Sequence, residues 1–207
     1  MMLRSISFTM IFSTFILQCS ETITVKAATL DHLNDINNIT HQLYHQHFKP
    51  IFSLLIPADH NLEDFMNKKI ITQQNANKEF IIKQLNQEKY GLIIAQESTL
   101  HSNQIIGYCR FNQKRPHNVH IYFLGINELF RRNKIGSKLL FTAINTFDDI
   151  THCTLRVLAH NDTAHAFYQK HGFCQKELIS LDLITGIQSI DPIAPITHAE
   201  YYLEIKK

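Results

Sequence analysis

The chain has 207 residues, 44% of them hydrophobic and 18% charged, with a formal net charge of +2 when its 13 histidines are neutral. That length and apolar share suit one domain with a substantial core. A near-neutral balance, with no basic stripe carrying interleaved aromatics, argues against a nucleic-acid partner.

Residues 1–20 form an apolar extension: Arg4 precedes the run Ile6–Leu17, which has the layout of a secretory signal with Ser20 as a cleavage point. Gln18 fits neither that cleavage site nor a lipoprotein signal at Cys19. The run is also short of the about 20 apolar residues a membrane span needs, so no stable membrane insertion is expected. An upstream start codon, with the working chain beginning at Met10 or later, is the third option. Residues 21–207 then read as the domain. Its cysteines, Cys109, Cys153 and Cys174, lack C-x-x-C spacing and fall on strands or strand edges, as reduced, buried small hydrophobes.

Thr22–Ala27 predicts a first strand, and Thr29 a helix start before Leu33, Ile36, Ile39 and Leu43 at helical spacing. Pro50 and Pro57 interrupt the chain, and two helices follow near Leu62–Ile71 and Lys78–Gln87. Gly91–Glu97 and Ile105–Phe111 read as consecutive strands, with turns at Ser98–Asn103 and Gln113–Asn118. The strand His120–Ile126 leads into an amphipathic helix with Ile135, Leu139, Leu140, Ala143, Ile144 and Phe147 on one face. Cys153, Leu155 and Val157 alternate on a strand, Asn161 or Asp162 caps a short helix, and Gly172 ends it. Gln175–Ile184 and His198–Ile205 close the sheet, with the loop Gly186–Thr197 between them. The order predicts a mixed α/β domain with one sheet and helices on both faces.

Two segments carry chemistry. In Phe130–Leu140, FRRNKIGSKLL, a strand runs through basic residues into a helix opening at Ile135-Gly136-Ser137. First-turn amides without internal partners and the positive end of the helix dipole attract a phosphate or pyrophosphate. Gly136 permits close approach, and Arg131, Arg132 and Lys134 add charge. An ordinary surface connection is the competing reading, since no full phosphate-loop or dinucleotide motif is present. The second segment, Cys153–Phe173, contains N-x-x-A-x-x-F-Y-x-x-x-G-F after its strand. The pair of aromatics Phe167-Tyr168 by itself reads as core packing.

Together, R-R-x-x-I-G-S followed by N-x-x-A-x-x-F-Y-x-x-x-G-F resembles the GCN5-related N-acetyltransferase (GNAT) superfamily, over about Thr22–Lys207 and most strongly over Val119–Phe173. The resemblance implies a single twisted mixed sheet of six to seven strands, flanked by helices and splayed between strands 4 and 5. It implies acetyl-CoA as donor, with Arg131, Arg132, Asn133, Lys134, Ile135, Gly136 and Ser137 around the pyrophosphate. Leu124, Gly125 and Ile126 would run beside the pantetheine arm and thioester, Asn161 would touch the cofactor, and Tyr168 would be the general acid at sulfur. A phenol with a reference pKa near 10 stays protonated for that task.

Two departures stand out. Lys134 occupies a position where relatives usually carry glycine, and would be strained there if positive φ is required. Tyr122 and Phe123 stand where many relatives have a carboxylate, leaving Glu97, His120 or a water chain as candidate bases. His41 and His45 share a helix face, but no H-E-x-x-H motif or completing ligand is apparent and no metal is assigned. Leu43–Phe52 is placed by the resemblance as part of an acceptor wall, with a packed aromatic corner as the alternative.

The resulting expectation is a cytoplasmic N-acetyltransferase, monomer or homodimer, moving acetyl from acetyl-CoA to a small-molecule or protein/peptide primary amine by direct attack on the thioester. The alternatives are a non-catalytic acyl-CoA-binding regulatory module and an exported interaction protein.

Overall fold

A computed structural model describes residues 22–55, 61–100, 102–180 and 197–205. The N-terminal signal-like run, Cys19 and the loop from Gly186 to residue 196 lie outside them. The described chain forms strands β1 (Thr22–Ala27), β2 (Tyr90–Ser98), β3 (Asn103–Arg115), β4 (Asn118–Ile126), β5 (His152–Leu158), β6 (Cys174–Ser180) and β7 (Thr197–Glu204). Helices are α1 (Leu33–Leu43), α2 (Lys49–Leu55), α3 (Leu62–Asn86), α4 (Ile135–Ile144) and α5 (Asp162–Lys170), with a π-helical turn over Tyr44–Phe48 joining α1 to α2.

The seven strands make one sheet in the order β1-β2-β3-β4-β5-β7-β6. All neighbours are antiparallel except β4 and β5. A parallel neighbour needs a crossover, and α4 provides it, packing Leu139, Leu140, Ala143 and Ile144 against Val119, Ile121 and Leu155 on one face. The amphipathic stripe expected of this helix is therefore its core face. The helix stops at Ile144, and Phe147 packs on the same cluster from beyond its end. On the other face, α1 and α3 cover Leu92, Ile94 and Tyr108 with Ile36, Ile39, Leu43, Phe80 and Ile81.

The two helices expected over Leu62–Ile71 and Lys78–Gln87 are one uninterrupted helix, α3. Asn61 caps it by accepting from the Asp64 amide at 3.0 Å. Buried residues Met66, Ile70, Asn77, Phe80 and Ile81 keep helical spacing through the polar middle. Of the cysteines, Cys109 and Cys153 are buried as expected, whereas Cys174, at the start of the edge strand β6, is exposed.

Candidate active site

β4 and β5 pair at only four positions, Asn118–Ile121 against His152–Leu155, and then diverge. On its other side β4 stays bonded to β3 as far as Ile126, but Tyr122 is an extra residue between the pairs Arg110–Phe123 and Phe111–Ile121. Such a bulge increases twist and re-aims side chains, and here it lies where the two parallel strands separate. The opening is a cleft of about 250 Å³ lined by Ile121–Leu124 of β4, Leu155–Leu158 of β5, Asn161 and Tyr168.

Beyond Ile121, one edge of β4 has no strand partner among the described residues. The Asn127 amide donates to Ile106 on the β3 side at 2.8 Å. Backbone alternation turns Leu124 and Ile126 the opposite way, toward the cleft. Consistent with this, the Ile126 carbonyl accepts from Arg131 Nε at 3.3 Å.

The basic segment follows directly. Arg132 and Lys134 both adopt positive φ, 67° and 59°, so Lys134 occupies the left-handed region and is followed by the right-handed first residue of α4. That alternation makes a concave nest of amides. The first hydrogen bond into the helix is Lys138 N–H to Lys134 O, leaving the amides of Ile135, Gly136 and Ser137 in the unpartnered first turn. Lysine at this position carries backbone strain that glycine would not.

Gly136 is needed for packing as well. A Cβ there would sit 3.3 Å from Phe167 of α5 and 3.9 Å from Ile126, so the start of α4 is pressed between α5 and the end of β4. Ser137 Oγ lies 2.8 Å from His171 Nε2, and His171 Nδ1 lies 2.8 Å from the Phe167 carbonyl. A carbonyl only accepts, so Nδ1 carries a proton and donates to it, while Nε2 faces the Ser137 hydroxyl.

On the β5 side, Asn161 caps α5 by accepting from the Ala164 amide at 3.1 Å. This sets the register that turns Tyr168 inward among Phe167, Phe173 and Tyr201 while it lines the cleft. Burial above all, with the Cys109 and Cys153 thiols adding to it, pushes its phenol pKa well above the ordinary 10.0. The phenol therefore stays protonated.

The far wall comes from the π-helical turn, α2 and α3. Tyr44, Phe48, Phe52, Lys69 and Gln73 line the cleft opposite β5, so three aromatic rings of the stretch Leu43–Phe52 face it. Behind Gln73 lies a buried polar network: Arg110 donates to Gln73 Oε1 at 2.7 Å and to Asn77 Oδ1 at 3.0 Å. Asn77 in turn donates to Thr40 Oγ1 at 3.1 Å, beside the Tyr108 hydroxyl. Neither base candidate lines the cleft. Glu97 pairs with Ile23 of β1 and Gln104 of β3, two strands away. His120 sits in the paired part of β4 against Thr154 at 2.9 Å, and burial pulls its pKa down to about 4.

Lys69, Gln73 and Arg156 were not recognised in the sequence as site residues. Only the continuity of α3 and the divergence of β5 bring them to one place. His41 and His45 stack at 4.4 Å with Glu63 4.0 Å from His45. Among the described residues no group of three or more metal-ligating side chains forms. No described helix is long and apolar enough to cross a membrane.

Comparison with known proteins agrees with this architecture. The PaiA N-acetyltransferase of Thermoplasma acidophilum, solved with coenzyme A, superposes with a TM-score of 0.62 at 16% identity, covering 89% of this chain and 99% of that one. A GNAT-family acetyltransferase of Staphylococcus aureus Mu50 gives 0.58 at 17% identity, covering 89% and 100%. Arabidopsis thaliana NAA60, solved with a bisubstrate analogue, gives 0.56 at 16% identity with the same coverage. These likenesses establish a shared fold. No functionally curated protein matches the sequence. The sequence model of the acetyltransferase (GNAT) family matches residues 58–173. That span is more than half of the chain and contains both motifs, the split between β4 and β5, and Tyr168: the protein belongs to the GNAT acetyltransferase family.

Proposed function

We propose that the protein is an acetyl-CoA-dependent N-acetyltransferase that passes the acetyl group directly to a primary amine. The observation that carries the reading is the cleft opened where β4 and β5 part after four pairs, with Tyr168 on its wall. When bound, acetyl-CoA supplies an activated acetyl thioester. The amide nest of Lys134–Ser137, with Arg131, Arg132 and Asn133 beside it, suits the pyrophosphate. The cleft-facing backbone of Leu124 and Ile126, on either side of Gly125, suits the pantetheine amides and the carbonyl that gains negative charge as the amine attacks. Asn161 lines the same cleft.

In the transfer, a carbon–nitrogen bond would form as the carbon–sulfur bond breaks; Tyr168 would give its phenol proton to the leaving sulfur and recover one from the acceptor nitrogen, which must shed a proton to become an amide. The ammonium proton of the acceptor leaves through water, since neither Glu97 nor His120 reaches the cleft. His120 would also be a weak base at a pKa of about 4. No cysteine nucleophile is required. The buried thiols of Cys109 and Cys153 are pushed up in pKa by desolvation, which suits them to packing and not to acyl capture.

The test is thermal unfolding with and without acetyl-CoA, followed by thiol release in the presence of amines. Saturation at about 100 times the dissociation constant adds about 2.7 kcal/mol of stability. Tyr168→Phe should keep that shift and lose most of the turnover. An absent shift across a wide range of acetyl-CoA concentrations refutes the reading. A shift without turnover of any amine would favour a non-catalytic acyl-CoA-binding module.

A further inference from the structure

The charges around the cleft are one-sided. Its described lining contains Lys69 and Arg156 and no aspartate or glutamate. Lys69 rises from α3 into the acceptor wall, with its ammonium 5.3 Å from the Phe65 ring centroid, and among the described residues it has no carboxylate partner. The two acids in the first turn of α3 are engaged elsewhere: Glu63 with Lys49 at 2.8 Å and Asp64 with Lys68 at 2.7 Å. Across the cleft, Arg156 forms an ion pair with Glu200, its cross-strand neighbour, at 3.8 Å, while its buried Nε makes no hydrogen bond. Arg110, 4% exposed, stands behind Gln73 as a third cation; its buried Nε is likewise without an acceptor.

A partly buried cation without a matching anion, as Lys69 is among the described residues, is costly to keep, and an anionic ligand relieves that cost. Burial already pulls the Lys69 pKa below its ordinary value, as expected of an ammonium lacking a counter-charge. The same positive walls repel a second cationic centre on the acceptor. A cleft of about 250 Å³, part of which the thioester end would take, suits a small amine.

We propose that the acceptor is a small primary amine bearing a carboxylate, of the size of a free amino acid, whose carboxylate is held by Lys69 and Arg156 at the α3–β5 end of the cleft. This rests on the acetyl-transfer reading above. The aromatic wall of Tyr44, Phe48 and Phe52 then faces the side chain, and an acceptor of this kind uses both cations while its amine points toward the split between the strands.

The decisive experiment measures thiol release from acetyl-CoA by the whole protein with the free α-amino acids, each beside its carboxamide, and with spermidine as a polycation. The expected result is turnover of at least one amino acid with a kcat/KM at least about tenfold above its carboxamide, the loss that follows when a charged hydrogen-bond partner is removed. Lys69→Met should cut that preference severalfold, mainly through KM, and Lys69→Arg should restore it. Equal use of acid and carboxamide, a preference for spermidine, or an unchanged preference in Lys69→Met overturns the proposal. So does thermal stabilisation by acetyl-CoA without turnover of any amino acid. Those four results leave cofactor binding standing, whereas failure of acetyl-CoA to stabilise the protein overturns the parent reading and this one together.

Discussion

Lys134 is the position where backbone geometry and cofactor chemistry can be separated by substitution. Its φ of 59° and ψ of 8° place it in the left-handed region, which costs a residue with a Cβ about 1–2 kcal/mol relative to ordinary backbone. Glycine removes that cost but brings a more flexible unfolded chain, worth about 0.4–1 kcal/mol in the opposite direction. Lys134→Gly should therefore stabilise the protein by roughly 0.5–1 kcal/mol. For a chain of this length the melting temperature would rise by about 1–4 °C. Lys134→Ala is the control, because it keeps the strained backbone and removes only the ammonium, and it should not raise the melting temperature. In acetyl-CoA titrations both variants should lose a similar few-fold in affinity if the ammonium meets the pyrophosphate. A fall in stability for Lys134→Gly, with Lys134→Ala neutral, would refute the strained-loop argument. An affinity gain in Lys134→Gly alone would show that the strain had been holding the nest out of shape.

Three further outcomes are expected. His120 has a pKa of about 4 when folded against an ordinary 6.5, so the unfolded chain binds the extra proton between those values and stability falls as pH drops through that window. The full effect is about 3 kcal/mol, and urea unfolding at several pH values should show His120→Gln losing that part of the dependence. Asn77→Ala strips partners from Arg110 and Thr40 in a buried network and should cost about 1–3 kcal/mol in the same assay. Gly107→Ala puts a Cβ 2.7 Å from the Gly125 carbonyl oxygen, prying β3 from β4 beside the cleft. A loss of about 1–3 kcal/mol, with weaker acetyl-CoA binding, is expected; unchanged binding would separate the β4 edge from the cofactor.

What the sequence made legible was local. The turn from β4 into α4 and the capped helix after β5 each lie within a dozen or so contiguous residues. Their glycine, cap and aromatic positions therefore announced themselves at the right spacing. In the sequence α3 reads as two helices because Gln73-Gln74-Asn75-Ala76-Asn77 is a polar break. In the structure Gln73 and Asn77 turn inward to solvate Arg110, and a polar run becomes part of a buried face. Arg110 itself sits mid-strand, where nothing local distinguishes a buried arginine from an exposed one. The bulge at Tyr122 is equally silent, since it is defined by the register of β3. Lys69 and Arg156 belong to elements with β2, β3, β4 and α4 between them in the chain, and only the sheet order brings them together.

The strand order has a consequence for how the cleft comes into being. β7 lies between β5 and β6, pairing with β5 from His152 to Leu158 and with β6 from Cys174 to Ser180. A nascent chain that has not yet released Thr197–Glu204 can assemble β1 to β4 with α1, α3 and α4, but it leaves β5 tied to the sheet at four positions only. The wall that carries Arg156 and supports Tyr168 would then be the last part of the molecule to set. Until it does, the apolar edges of β5 and β6 are open to pairing with another chain. Expression should thus be more sensitive to lesions in Ala199 and Tyr201, both fully buried on β7, than their distance from the basic loop suggests. A truncation before Thr197 should yield aggregate and not a smaller soluble domain.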